Sequence, residues 1–257
     1  MRRFLIALQF LTIFPVKISA EGRFAFGEKS EIKEKDFGRA LIYFPIVGAL
    51  IGAALVLVLL VLDFLPYSVK IALVLISSIV ITGGIHLDGF ADTCDGFYAG
   101  KSKENILEIM HDPHIGTIGT IAVISILLLK FTLMASISKD ILWKFLIMMA
   151  TLGRWSQVLA CYASKYAKES GKARFFIEYA TLKEVVTGGL ITVALFYLLG
   201  KWEGLFLFIL ISLLAFLFIN YIKRKIGGIT GDTIGAVNEI VEVCVLLFSL
   251  ILNRIPV

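Results

Sequence analysis

Seven apolar stretches, at roughly 41–62, 67–85, 118–137, 141–160, 184–200, 203–222 and 234–253, dominate the chain. Each has the length of a helix that crosses a hydrocarbon layer about 30 Å thick, although 184–200 is short and carries Gly188-Gly189 near its start. Inside lipid the backbone must satisfy its own hydrogen bonds, so such runs become helices and several together become a bundle. Composition points the same way. Of 257 residues, 58% are hydrophobic and 18% charged, and the mean hydropathy is +0.90, whereas a soluble domain is about half apolar and a quarter charged. The expected fold class is all-α: a polytopic integral membrane helical bundle of about seven transmembrane helices, with 1–257 as a single membrane-embedded catalytic domain.

The N-terminus opens Met-Arg-Arg and continues as an apolar run to Pro15-Val16. It is short for a span and no small-x-small cleavage site follows, so it is expected to be retained as a short interfacial or re-entrant element. The net charge of +5 is distributed unevenly. If seven spans alternate, one side receives the connections 17–39, 86–117, 161–183 and 223–233, which hold 6, 2, 5 and 3 Lys and Arg, 16 in all, against 5 on the other side. The basic side is the cytoplasmic one. This predicts a multi-pass protein of the cell membrane whose polar segments face the cytoplasm. No basic-aromatic stripe suggests a nucleic-acid partner. Cys94, Cys161 and Cys244 are scattered and form neither a disulfide framework nor a paired metal motif.

The chemistry-bearing residues lie in those connections. Thr82-Gly-Gly-Ile-His-Leu-Asp-Gly-Phe-Ala-Asp-Thr-Cys-Asp-Gly-Phe97 places Asp88, Asp92 and Asp95 at i, i+4 and i+7, one face of a helix. Three carboxylates there repel one another unless a cation sits among them. Their hard oxygens suit Mg²⁺ or Mn²⁺, which clamp pyrophosphate and offset the charge developed in phosphoryl transfer. A solvated acidic helix start is the bland reading of the same residues. Glu104, Glu108, His111, Asp112, Pro113 and His114 follow; the two glutamates have Lys101 and Lys103 as neighbours and read as a solvated helix face, while Asp112 is the better ligand candidate. No HExxH spacing exists for zinc, and His86, His111 and His114 are each open to a general-base or phosphate-bonding role. Ile226-Gly-Gly-Ile-Thr-Gly-Asp-Thr-Ile-Gly-Ala236 runs glycine-rich backbone into a helix start, where Thr230 and Gly231 can bind an anion and Asp232 can add a ligand. Lys130 and Arg154 fall inside spans, where ionisable groups face a protein interior and mark function; both are expected to neutralise phosphate. Glu239 and Glu242 also fall inside a span, and their role is open.

With these motifs the chain resembles the cobalamin synthase family, the adenosylcobinamide-GDP ribazoletransferases. The resemblance rests on Gln9-Phe-Leu-Thr-Ile-Phe-Pro15, Phe44-Pro-Ile-Val-Gly-Ala-Leu-Ile-Gly52, the Thr82–Gly96 segment, Glu108-Ile-Met-His-Asp-Pro-His-Ile-Gly-Thr-Ile-Gly119, Lys130, Gly153-Arg154 and Gly227-Gly-Ile-Thr-Gly-Asp-Thr-Ile-Gly235. It implies an Mg²⁺-dependent membrane enzyme that transfers the corrinoid phosphoryl group of adenosylcobinamide-GDP to the 5′ end of α-ribazole or its phosphate, releasing GMP and forming adenosylcobalamin or its phosphate. With that reaction in view, the metal logic of the residues gives the expected roles: catalysis by Asp88, Asp92, Asp95 and His86, substrate binding by Lys130, Arg154, Thr117, Thr230 and Gly231, and metal binding by Asp88, Asp92, Asp95, Asp112 and Asp232. Where the family often has Arg-Asp-Ser-Arg, this chain has His111-Asp112-Pro113-His114, so a fixed positive charge is absent from that turn. Two other readings stand beside this one. A CDP-alcohol phosphatidyltransferase-like lipid enzyme shares the chemistry, but its Asp-Gly-x-x-Ala-Arg signature is not met by Asp88-Gly-Phe-Ala-Asp92. An ion or phosphate transporter would use intramembrane charges and glycine breaks. Homo-oligomers are left open.

Overall fold

The computed structural model describes residues 2–15, 33–168, 171 and 173–253. Most of the 17–39 connection and the tail beyond 253 lie outside the described residues. Eleven α-helices and one short 3₁₀ turn account for nearly all of the rest: α1 (Arg2–Leu11), α2 (Glu34–Ala40), the 3₁₀ turn Leu41–Tyr43, α3 (Phe44–Val61), α4 (Tyr67–Thr82), α5 (Ile85–Ala99), α6 (Lys103–Ile109), α7 (Thr117–Ser136), α8 (Lys139–Ala163), α9 (Arg174–Glu178), α10 (Leu182–Ile226) and α11 (Gly231–Leu252). Among the described residues the only β-type pairing is the single parallel bridge Tyr166–Ile229. The protein is an all-α membrane bundle.

All seven apolar stretches are helical. By length and apolar composition, four helices qualify to cross a membrane, counting α2 to α3 as one, and five if the bent pair α4–α5 is one span. The count of seven is not reached by that measure, for two physical reasons. First, α8 is the central helix, packed against α3, α10 and α11. It buries Thr151, Arg154, Ser156 and Gln157, so its hydropathy is low because protein rather than lipid surrounds it. Second, two expected stretches merge into α10, whose 45 residues would extend about 67 Å if straight. The helix breaks instead at Lys201, with φ 49° and ψ −130°. A methyl group at either Gly200 or Gly204 would lie 3.6 Å from Met148 Cε. Trp155 Nε1 donates to Val185 O on the first arm at 3.2 Å, its ring lies 5.1 Å from Phe208 on the second, and Lys223 Nζ donates to Ala163 O at 2.6 Å. The two arms therefore run antiparallel along α8.

The outward faces are apolar. Leu57, Leu60, Leu128, Leu190, Leu198, Ile209 and Leu217 are all exposed, a surface that fits acyl chains and not water. Inside, Gly48 and Gly52 let α3 approach α8 so closely that a Cβ would fall 2.4 Å from Ala150 O and 2.5 Å from Ile147 Cα, the small-xxx-small contact of membrane helices. The N-terminal element, expected to be interfacial or re-entrant, is a short helix. It docks on the bundle by burying Ile6, Ala7, Gln9 and Leu11, and Arg3 Nε pairs with Asp36 at 3.0 Å.

Candidate active site

The site begins at the elbow between α4 and α5. Gly83 and Gly84 take φ of 66° and 69°, left-handed values that suit glycine alone, and the chain turns by 89°. The connection expected at 86–117 is thus largely helical, and α5 lies against the first turns of α11. The contact is made by glycines on both sides. A Cβ at Gly89 would fall 2.6 Å from Asp232 O, and one at Gly235 would fall 3.0 Å from His86 O. This close approach brings Asp88 and Asp92 of α5 together with Asp232 of α11. Asp92 feels the negative charges of Asp88, Asp232 and Asp95 and the opposing charge of Lys168. Lys168 Nζ donates to Asp232 Oδ2 at 2.8 Å. The sequence reading missed this lysine because it stands in a connection with no motif of its own. Its loop is fixed by Ile229 N donating to Lys165 O and Ala167 N donating to Ile229 O, at 2.9 and 2.8 Å.

The remaining expected site residues take other places. Asp95 accepts from Gly116 N and Gly119 N, both at 2.8 Å, one on each carboxylate oxygen. It thereby caps the start of α7 from a neighbouring helix, beside the exposed Thr117. Asp112 is exposed and accepts from His114 N at 2.8 Å, with His114 Nδ1 also at 2.8 Å. This turn holds its carboxyl below the usual carboxylate range, first through the backbone bond and then through the ring. Thr230 is fully buried and caps α11, its hydroxyl accepting from Thr233 N at 3.2 Å, while Gly231 is exposed at the helix start.

Lys130 and Arg154, expected to meet phosphate, are instead 3% and 2% exposed and paired within the bundle. Lys130 Nζ bonds Glu239 Oε2 and Glu242 Oε2, and Arg154 bonds Glu242 Oε1. Asn238 Nδ2 donates to Glu242 Oε1 at 3.0 Å, and Gln157 Nε2 donates to Asn238 Oδ1 at 3.2 Å and lies 3.3 Å from His86 Nε2. A continuous polar chain therefore joins α5, α7, α8 and α11. His86, a candidate base, is enclosed at its end. A cavity of about 20 Å³ abuts this chain, room for a single water.

Among the described residues no group of three or more His, Cys, Asp or Glu side chains stands ready to hold a metal ion. Asp92 lies within the field of both Asp88 and Asp232, and the three carry hard carboxylate oxygens, the donor chemistry that Mg²⁺ takes. Two open cavities flank them. One of about 1090 Å³ is bordered by Asp88, the α4–α5 elbow and α1; the other, of about 590 Å³, is bordered by Lys165, Tyr166, Lys168 and Arg174.

Comparison with known proteins gives a consistent result. The family model described as cobalamin-5-phosphate synthase matches residues 3–250. An adenosylcobinamide-GDP ribazoletransferase of Clostridium acetobutylicum is 39% identical over 241 residues, covering 93% of this chain and 92% of the relative. Proteins of the same description from Alkaliphilus metalliredigens and Caldanaerobacter subterraneus are 35% and 34% identical, covering 98% of this chain and 96% and 99% of the relatives. No solved structure matches the chain.

Proposed function

The chain belongs to the cobalamin-5-phosphate synthase family, and on that premise we propose that it is an adenosylcobinamide-GDP ribazoletransferase acting at the cell membrane, with its site facing the cytoplasm. The observation that supports the site assignment is the packing of Gly89 against Asp232, which sets α5, with Asp88 and Asp92, beside Asp232, while Asp88 borders one open cavity and Lys168, paired with Asp232, borders the other. The cytoplasmic facing rests on the charge count of 16 against 5.

The reaction joins a ribose hydroxyl of the acceptor to the corrinoid-bound phosphorus of the donor. The bond from that phosphorus to the bridging oxygen breaks, and GMP departs with that oxygen. The family description specifies a 5-phosphate product, so with a 5′-phosphorylated acceptor the attacking oxygen is a different ribose hydroxyl. Asp88, Asp92 and Asp232 would hold Mg²⁺, which supplies charge neutralisation at the pyrophosphate. Asp92, set among other carboxylates, is suited to take the proton of the attacking hydroxyl. Lys168 and Arg174, paired with Asp232 and Glu178 at the open second cavity, would supply positive charge to the pyrophosphate, a duty for which Lys130 and Arg154 are buried with their glutamates out of reach. His86 orients α5 through Gln157.

The test is purified full-length protein supplied with GDP-cobinamide, α-ribazole and Mg²⁺. GMP and a cobalamin product are expected, and chelation of Mg²⁺ is expected to stop their formation. Release of CMP from a CDP-lipid, or transport with no chemical product, would overturn the reading.

A further inference from the structure

The cavity of about 1090 Å³ is walled by α1, the α4–α5 elbow and α9, and one polar group in its lining has no explained purpose. Gln9 of α1 is 7% exposed, and neither its amide nitrogen nor its amide oxygen has a hydrogen-bond partner. A buried amide left unpaired is unfavourable and uncommon, so it calls for a ligand. Phe10 and Phe176 stand beside it with ring centroids 4.4 Å apart, and Asp88 lies on the same cavity wall.

We infer that this cavity receives the base of the acceptor nucleoside, with the Gln9 amide bonding the base's polar edge and the mutually packed pair Phe10–Phe176 forming one apolar wall beside it. The inference rests on the ribazoletransferase reading and assigns one of that site's two substrates to a place. Charge decides which substrate. No Lys, Arg or His is found among the described residues lining the cavity, so the interior of this cavity, away from the metal position at Asp88, offers a diphosphate no positive charge. Hydrogen-bonding capacity then decides the kind of base. The Thr12 hydroxyl already donates to Leu8 O at 2.6 Å and accepts from Phe14 N, and the Thr82 hydroxyl donates to Ser78 O at 2.9 Å. Gln9 is left as the uncommitted polar side chain on the inner wall. A guanine edge presents several donors and acceptors, of which one amide can pair two, leaving the others unpaired against an apolar wall. The fused, methylated ring of ribazole has apolar faces and one free ring nitrogen, which one Gln9 amide N–H satisfies, leaving the amide oxygen for a hydroxyl of the attached ribose. With the base seated there, the ribose lies toward Asp88, and the acceptor enters from the side opposite the lysine-lined cavity.

The test compares α-ribazole with the riboside of the same ring system in which the free ring nitrogen is replaced by carbon. Wild-type enzyme is expected to show a KM for the carbon analogue at least about tenfold higher, the loss of one well-placed hydrogen bond. Gln9→Leu is expected to raise the KM for α-ribazole by a similar factor, to leave the KM for GDP-cobinamide unchanged, and to lose the discrimination between the two acceptors. Equal use of both acceptors by the wild type overturns the proposal even if the variant fails to fold. So does a folded Gln9→Leu protein with an unchanged acceptor KM, or one whose defect lies in the donor KM. If the wild type releases no GMP at all, the activity reading is what fails. Equilibrium binding of α-ribazole to wild type and Gln9→Leu then decides the pocket: weaker binding to the variant supports it, and equal binding overturns it.

Discussion

Lys130 Nζ lies 2.6 Å from Glu239 Oε2 and 2.6 Å from Glu242 Oε2, so one buried ammonium bridges two carboxylates on adjacent turns of α11. Arg154 takes the other oxygen of Glu242, and the two cations and two anions cancel. Removing one partner strands a charge away from water, at a cost of about 3–5 kcal/mol. Glu242→Gln should therefore lower the melting temperature of the detergent-solubilised protein sharply. Pairing Lys130→Met with Glu239→Gln should cost less than the sum of the single changes, because the double change removes a cation and an anion together. A Lys130→Met protein with wild-type melting and a raised KM for the GDP-corrinoid would instead return Lys130 to the phosphate.

The approach of α5 to α11 allows no side chain at Gly89, where a Cβ would fall 2.6 Å from Asp232 O and 2.7 Å from Asp232 Cα. Both of those atoms are backbone, so relief requires the helices to part. Gly89→Ala should destabilise the protein by about 1–3 kcal/mol, as overpacking does. It should also separate Asp232 from Asp88 and Asp92, so turnover should fall by at least about tenfold, the scale of a disturbed metal environment. Membrane insertion should be unaffected, because no apolar segment changes. Wild-type turnover in Gly89→Ala would show that the contact does not set the site.

The apolar stretches, the short N-terminal element and the aspartate face of 88–95 were legible in the sequence, because each is a local pattern of period or length. The turn at Lys201 was legible too, as the gap between two stretches, although the residues on either side stay helical up to it. What escaped were the pairings. Lys130 and Arg154 look like phosphate ligands until Glu239 and Glu242, more than 80 positions away, are seen to meet them. Asp95 looks like a third metal ligand until the N–H groups of Gly116 and Gly119 are found on it. Lys168 has no motif, and only the 164–168 loop folded against Ile229 gives it a place beside Asp232. Which face of α1 is buried, and hence the position of Gln9, also depends on tertiary packing.

The His111–His114 turn has a pH dependence of definite sign. The His114 backbone N–H, and after it the His114 ring, hold the Asp112 carboxyl below its usual range. A value depressed in the folded state means that the stabilisation is present above the ordinary carboxylate pKa and is lost as pH falls through the lowered one. The turn should therefore be intact at neutral pH and loosen only in acid. His114→Ala removes the second contribution and keeps the first, so the Asp112 pKa should rise part of the way toward the ordinary value. The titration of a labelled Asp112 carboxyl carbon reads this directly, and an unmoved midpoint in the variant would count against the ring contact.

Asp92 and Asp95 stand three residues apart on one helix, yet the structure gives them different duties, which two measurements can separate. Asp95 satisfies two amide N–H groups at the start of α7, at 2.8 Å each. Asp95→Ala leaves both unpaired and should cost about 1–2 kcal/mol of stability, the scale of a lost helix cap. Asp95→Asn keeps one acceptor oxygen and should lose about half as much. Asp92 has no such bond to keep and sits in the field of Asp88 and Asp232. Asp92→Asn relieves that repulsion, so the melting temperature should hold or rise while turnover at saturating Mg²⁺ falls by at least about tenfold. The two substitutions should thus move opposite readouts. If Asp92→Asn turned over at the wild-type rate, the carboxylate cluster would not be the site of phosphoryl transfer. If Asp95→Ala melted like wild type, its cap on α7 would contribute nothing to the fold.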